Sequence, residues 1–121
     1  MATISATVSR ISNNSVVVTW TGATNGDTFE PVPTEFADYS DRSIQASGTF
    51  GGATINLQGS NDGTNYANLS DPQGVVIGIT SSGIKQVLEA VRHQRPAISG
   101  GTGSSINVTM FLRRGRGGKE V

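Results

Sequence analysis

The sequence predicts an all-β chain: an antiparallel β-sandwich of about seven or eight short strands with one short helix. Three observations predict it. Apolar and polar residues alternate with period two in most segments, as where Ala53, Ile55 and Leu57 interleave with Thr54, Asn56 and Gln58. That alternation puts one face of a strand toward a core and the other toward water. Turn residues recur between these segments, and 16 of the 121 residues are glycine. Thr, Ser, Asn, Val and Ile dominate while Leu is scarce, a strand-and-turn composition. A small β-barrel is the alternative architecture, and a jelly-roll or immunoglobulin-like strand arrangement is the expected one.

A chain of 121 residues has the length of one domain. Residues 1–112 carry the sandwich pattern, and residues 113–121 read as a flexible basic tail with no hydrophobic residue before the last. Cysteine is absent, so neither disulfides nor thiolate metal sites can staple the fold. The first residues show no basic region followed by an apolar run, which predicts synthesis in the cytoplasm without a secretory signal. The formal net charge is zero but unevenly placed. Residues 1–80 hold two bases and seven acids (2 − 7 = −5), and residues 81–121 hold seven bases and two acids (7 − 2 = +5). Such asymmetry steers contacts between copies or to a partner of mixed sign, unless the two sets mingle on the folded surface.

Taken in order, Ile4, Ala6 and Val8 alternate with Ser5, Thr7 and Ser9 in a half-buried first strand. Asn13-Asn14-Ser15 is a turn, and Val16, Val18 and Trp20 mark the inner face of a second strand, so residues 3–21 form a hairpin. Trp20, the single tryptophan, is expected to anchor the core. Residues 22–42 break the pattern with Gly22, Gly26, Pro31 and Pro33. Five acids fall there (Asp27, Glu30, Glu35, Asp38 and Asp41), interleaved with Phe29, Phe36 and Tyr39. A long aromatic-bearing loop is often functional, and this one reads as a docking surface or as a segment tucked onto the sandwich edge.

The alternation resumes at residues 43–50, with Ile44, Ala46 and Phe50 on one face and Gly48 at a bulge. Gly51-Gly52 leads into the central hairpin, residues 53–69, whose turn is Asn61-Asp62-Gly63. Asp71-Pro72-Gln73-Gly74 is a second turn, followed by the short apolar run 75–79. In residues 83–92, Ile84, Val87, Leu88 and Val91 fall at i, i+3, i+4 and i+7, which predicts the short helix, with Ser81 or Ser82 as its cap. Residues 96–99 and 105–112 flank Gly100-Gly101-Thr102-Gly103 and read as a closing hairpin.

Little in the chain points to catalysis. His93 is the single histidine, so a Ser–His–acid triad would need it, and a zinc site would have only carboxylates beside it. It sits between Arg92 and Arg95, a setting that favours a structural or solvent-exposed role. Asp38 and Asp41 lack an apolar neighbourhood that would raise one pKa for acid–base work. Calcium at the 27–41 loop or at Asn61-Asp62-Gly63-Thr64-Asn65 is chemically conceivable, but the latter carries one carboxylate and reads better as a turn. The glycine-rich stretch at 100–103 lacks the Gly-Lys-Ser/Thr ending of a phosphate loop. Four bases in residues 113–119 resemble an Arg-Gly nucleic-acid segment, but a single such tail on a neutral domain fits a neighbouring protein subunit better, and plain disorder better still.

Several of these segments together resemble a known group. Ile55-Asn56-Leu57-Gln58-Gly59-Ser60-Asn61-Asp62-Gly63-Thr64-Asn65-Tyr66, then Asp71-Pro72-Gln73-Gly74, then Arg95-Pro96-Ala97-Ile98-Ser99-Gly100-Gly101 and a strand ending in Arg113-Arg114, are similar to the small virion structural proteins of tailed bacteriophages that decorate or cement the capsid. The similarity spans residues 43–114. Such hairpins also occur in carbohydrate-binding and adhesin-like sandwiches. The resemblance implies a non-enzymatic protein on the capsid surface of the virion that binds the major capsid protein and itself, commonly as a homotrimer. It implies no cofactor, small-molecule substrate, nucleic acid or membrane partner. The expected contact residues are Asp27, Glu30, Glu35, Phe36, Asp38, Tyr39, Asp41, Arg113, Arg114 and Arg116. The alternative is a carbohydrate-binding or tail-fibre module, with Trp20, Tyr39 or Tyr66 exposed in a shallow groove. A hydrolase would instead need His93 in a cleft with Ser and Asp.

Overall fold

A computed structural model of the chain describes residues 3–39, 41–87, 89 and 91–114. Its strands are β1 (Thr3–Ile4), β2 (Thr7–Ser12), β3 (Ser15–Ala23), β4 (Thr28–Phe29), β5 (Asp41–Thr49), β6 (Thr54–Ser60), β7 (Ala67–Asn68), β8 (Gly78–Ile79), β9 (Gly83–Val87), β10 (His93–Ser99) and β11 (Ser105–Arg113). A single 3-10 turn, Thr34–Phe36, interrupts them among the described residues. Seven of the strands are five residues or longer, and these are the ones the alternation marks, β9 excepted.

The strands form an antiparallel β-sandwich. One sheet has the order β2-β3-β11-β5-β9, and the other has β10-β6-β7, with β8 also paired to β6. β1 and β4 make a two-residue parallel ladder that lies against β3 and β10. Period two decides what faces inward. Val16, Val18 and Trp20 of β3, Ile44 and Ala46 of β5, and Ile106, Val108, Met110 and Leu112 of β11 pack toward Ile55 and Leu57 of β6, all fully buried. Burying each Val, Leu or Ile side chain contributes about 1.5–3 kcal/mol. Trp20 is the anchor its position predicts. Its Nε1 donates to the Glu30 carbonyl at 2.8 Å, and its ring meets Phe29 edge-on with centroids 6.2 Å apart.

The central hairpin forms with Gln58 opposite Asn68 and Gly59 opposite Ala67. Its turn is held by one carboxylate. Asp62 accepts hydrogen bonds from the backbone N–H groups of Thr64 and Asn65, from the Asn65 side-chain amide and from the Ser60 hydroxyl, at 2.8–2.9 Å. Asp71 does similar work in the next turn, accepting from the backbone N–H groups of Gln73 and Val75.

Three expectations are corrected. Among the described residues the helix over 83–92 is absent: residues 83–87 form β9, antiparallel to β5 with Ile44 opposite Lys85. A stretch of about ten residues is a poor helix nucleus by itself. Pairing closes the otherwise open edge of β5 and satisfies the facing backbone groups of residues 83–87, and this outweighs the apolar stripe. Within that stripe Val87 is buried, Ile84 is 63% exposed, and Leu88 lies outside the described residues. The closing hairpin is not a hairpin either. β10 pairs with β6 and β11 with β3 and β5, so the glycine-rich 100–103 segment carries the chain from one sheet to the other. Gly51-Gly52 makes the same crossing between β5 and β6 beside it, and the Thr102 N–H donates to the Gly51 carbonyl at 3.0 Å. The first strand, expected as one half-buried unit, is split into β1 and β2, and every residue of β2 is exposed.

Candidate interaction surface

The two oppositely charged segments, far apart in sequence, meet at one end of the sandwich. β11 runs antiparallel to β5, which places Arg113 opposite Asp41. Their side chains form an ion pair at 3.0 Å, with 59% and 46% of each exposed. The next residue, Arg114, is fixed as well. Its N–H donates to the Asn14 carbonyl at 2.7 Å, its Nη2 donates to the Tyr39 hydroxyl at 3.0 Å, and its guanidinium lies 4.8 Å from the Tyr39 ring centroid. Asn14, Asp41, Arg113 and Arg114 line a hollow of about 360 Å³. Arg116 lies outside the described residues.

The acidic loop is tacked down by its rings and presents its carboxylates. Phe36 and Tyr39 are buried and meet edge-on, with centroids 5.3 Å apart. They therefore serve as the loop's anchors and offer no open aromatic face. Glu35 and Asp38 beside them are exposed. Glu30 is exposed too, but its Oε1 accepts from the Ala6 N–H at 2.7 Å, tying the link between β1 and β2 to the loop. Asp27 accepts from the Thr24 N–H and closes a short turn. The patch is thus a mixed-sign one, with Glu35, Asp38 and Asp41 against Arg113 and Arg114.

Two arginines that the sequence reading passed over complete this end. The Arg10 guanidinium lies 5.4 Å from the Phe36 ring centroid, and its Nη1 approaches the Tyr39 hydroxyl at 3.4 Å. Arg42 is buried, reaching Gln94 of the opposite sheet and the Glu89 carbonyl. Burial lowers its pKa from the ordinary arginine value by desolvation. A period-two signal was available for Arg42, which shares its parity with Ile44 and Ala46.

The residues needed for hydrolysis gather without the wiring. His93 is opposite Ser60 in the β10–β6 ladder, and its ring lies beside Gly63. The Ser60 hydroxyl, however, donates to Asp62 and accepts from the Asp62 and Gly63 N–H groups, so it serves the turn. Among the described residues no side-chain hydrogen bond joins His93 to Ser60, and no cluster of three His, Cys, Asp or Glu side chains could hold a metal ion. Of the aromatics considered for sugar stacking, Trp20 and Tyr39 are buried. Tyr66 is half-buried, with the Arg95 guanidinium 3.8 Å from its ring centroid. No helix among the described residues is long and apolar enough to cross a membrane.

No protein-family model matches the sequence, and a search of curated proteins returns no match. Among solved structures the chain is similar to the SPBc2 prophage-derived protein YomS, with a TM-score of 0.61 and 9% identity over 86% of this chain and 98% of that one. It also aligns with a cupin domain from Bordetella pertussis, with a TM-score of 0.45 and 15% identity over 89% of this chain and 91% of that one. The first likeness is one of fold, and it extends over nearly the whole of both chains.

Proposed function

We propose that this chain is a non-enzymatic structural protein of a bacteriophage particle. It decorates and stabilises the capsid by binding the major capsid protein and other copies of itself, and resides on the capsid surface after synthesis in the host cytoplasm. The observation that carries the reading is the mixed-sign patch at the Asp41–Arg113 end. Its charges sit on strand ends and on a loop anchored by buried rings, and the Asp41–Arg113 pair is about half exposed, so they are pre-positioned for a protein partner. The fold likeness to a prophage-derived protein and the resemblance over residues 43–114 support the same assignment.

The test is co-sedimentation with empty capsid shells that lack the protein, followed by thermal challenge of the decorated shells. Binding and a raised shell-disruption temperature are expected. Asp38→Arg and Arg113→Glu should lose binding while their circular dichroism stays unchanged. Failure of the native protein to co-sediment would refute the reading.

A carbohydrate-binding or tail-fibre role is the second reading, favoured by one observation. On the outer face of the four-stranded sheet Arg95, Gln58 and Asn68 form a hydrogen-bonded row beside Tyr66. An amide row with an aromatic neighbour suits sugar hydroxyls, and binding on a glycan array that Tyr66→Ala abolishes would favour this role over the first.

A further inference from the structure

The outer face of the five-stranded sheet is unusual for a surface in contact with water. Its outward positions follow from the ladders. One row across the sheet includes Val17, Phe111 and Ser43, and the next includes Thr19, Thr109, Gln45 and Ile84. Apart from Asp41 and Arg113 at one end, which neutralise each other, the outward positions of these five strands carry no charged side chain. Exposed sheet surfaces ordinarily carry interspersed Lys, Arg, Glu and Asp. Here the side chains are hydroxyls and amides around Phe111, 39% exposed, and Ile84, 63% exposed. Charge depletion with exposed aromatic and aliphatic groups is the composition of an interface core. The face is also shaped: a hollow of about 380 Å³ runs over Ser43 between Phe111 and Ile84, ending at the Asp41–Arg113 pair.

We infer that this face packs against the same face of a second copy of the chain. Charge selects that occupant. A surface of zero net charge meets its own copy without repulsion, and the one ion pair at its end is self-complementary, since either partner can exchange for that of the other copy. A nucleic acid would find one cation here, and a lipid surface would find mostly hydroxyl and amide groups. The area is sufficient. Five strands about 4.8 Å apart, with residues spaced by about 3.3 Å, give a plane of roughly 24 by 17–30 Å. With side-chain relief this approaches the ~800 Å² per partner typical of stable complexes. Face-to-face packing of sheets at about 10 Å is a standard arrangement, in which Phe111 and Ile84 would fill the facing hollow. The inference bears on self-association alone and does not need the capsid reading to hold.

Sedimentation equilibrium of the purified chain tests it. The native protein should be dimeric at micromolar concentration, and Ile84→Glu and Phe111→Glu should each weaken the dimer at least tenfold while keeping the native circular dichroism spectrum. Val75→Glu, an equally exposed apolar site outside this sheet, should leave the dimer intact. A native protein that stays monomeric, a trimer indifferent to the Ile84 and Phe111 variants, or equal weakening by Val75→Glu would each overturn the inference. If a variant fails to fold, Gln45→Lys at the centre of the same face replaces it. Dimerisation without shell binding would leave this inference standing and remove the proposed function.

Discussion

The buried side chains of Arg42 and Gln94 join the two sheets through a hydrogen bond of 3.0 Å, from Nη1 of the arginine to Oε1 of the amide. Arg42 Nη2 also donates to the Glu89 carbonyl, while Nε has no partner among the described residues. Both groups that receive its hydrogen bonds are neutral oxygens, so this buried cation is balanced by dipoles rather than by a carboxylate. The geometry ties β5 to β10 and holds the stretch after β9 against the end of the sandwich. Arg42→Ala should destabilise the chain by about 1–3 kcal/mol for each acceptor left unpaired in the interior. Changing both partners, Arg42→Met with Gln94→Leu, should recover most of that loss, because apolar groups of similar shape leave nothing unsatisfied. Urea denaturation of the single and double variants measures the difference; a double variant as unstable as Arg42→Ala would argue against the tie.

Trp20 combines burial with a polar duty. Trp20→Phe keeps most of the apolar volume but strands the Glu30 carbonyl, which receives the indole N–H. A loss of about 1–3 kcal/mol is expected, more than a volume-conserving apolar swap costs. The comparison variant is Leu57→Met, fully buried with no polar group, which should cost less than about 1.5 kcal/mol by the same measurement.

Gly48 lies opposite Ile106 on β11 with φ at +120°. A Cβ there would run into the backbone carbonyl oxygen of Ser105, which cannot rotate away. Gly74 also has positive φ, +84°, but nothing stands within 4 Å of its missing Cβ. Gly74→Ala should therefore cost only the left-handed penalty of about 1–2 kcal/mol. Gly48→Ala should cost clearly more, since strain in the β5–β11 ladder adds to it. Thermal melts of the two variants side by side decide this; equal melting temperatures would mean that the ladder yields to the methyl group.

Asp41 and Arg113 should matter little to folding. Both are roughly half exposed, and pairs of that kind contribute about 0–1 kcal/mol. Asp41→Asn should leave the denaturation midpoint nearly unchanged and reduce its salt dependence. A large loss of stability would make the pair structural and weaken its candidacy as a contact.

How far the sequence disclosed all this can be traced residue by residue. Wherever both faces of a strand have different neighbours, period two was sufficient: Ile55 and Leu57 against Asn56 and Gln58, or Ile106 and Val108 against Asn107 and Thr109, are sorted correctly. It failed at the sheet edge. β9 has a neighbour on one side only and buries just Val87 among its five residues, so its alternation is weak and the helical spacing of Ile84, Val87, Leu88 and Val91 looked stronger. Connectivity was hidden as well. Gly100-Gly101-Thr102-Gly103 is good turn chemistry whether the chain returns within a sheet or crosses to the other, and what distinguishes the two is the partner strand, which is remote in sequence. In the 27–41 loop the five acids were visible, but the burial of Phe36 and Tyr39 beneath Arg10 and Arg114 depends on residues 26 and 75 positions away.

Asp62 gives the clearest dependence on pH. Its carboxylate is held well below the usual range, first by the N–H of Asn65, then by the N–H of Thr64, the Asn65 side chain and the Ser60 hydroxyl. A carboxylate depressed in the folded state contributes stability that is complete above its unfolded pKa, about 3.9. That contribution is lost as pH falls further toward the folded value. Asp62→Asn keeps one acceptor oxygen but no charge, so the native protein should exceed it in stability most at neutral pH. The gap should narrow steadily below about pH 4, where the unfolded carboxylate takes up its proton. Denaturation of both proteins at pH 7, 4 and 3 tests this. A gap that stays constant with pH would show that shape and not charge holds the turn, and that the depression of the Asp62 pKa has no consequence for folding.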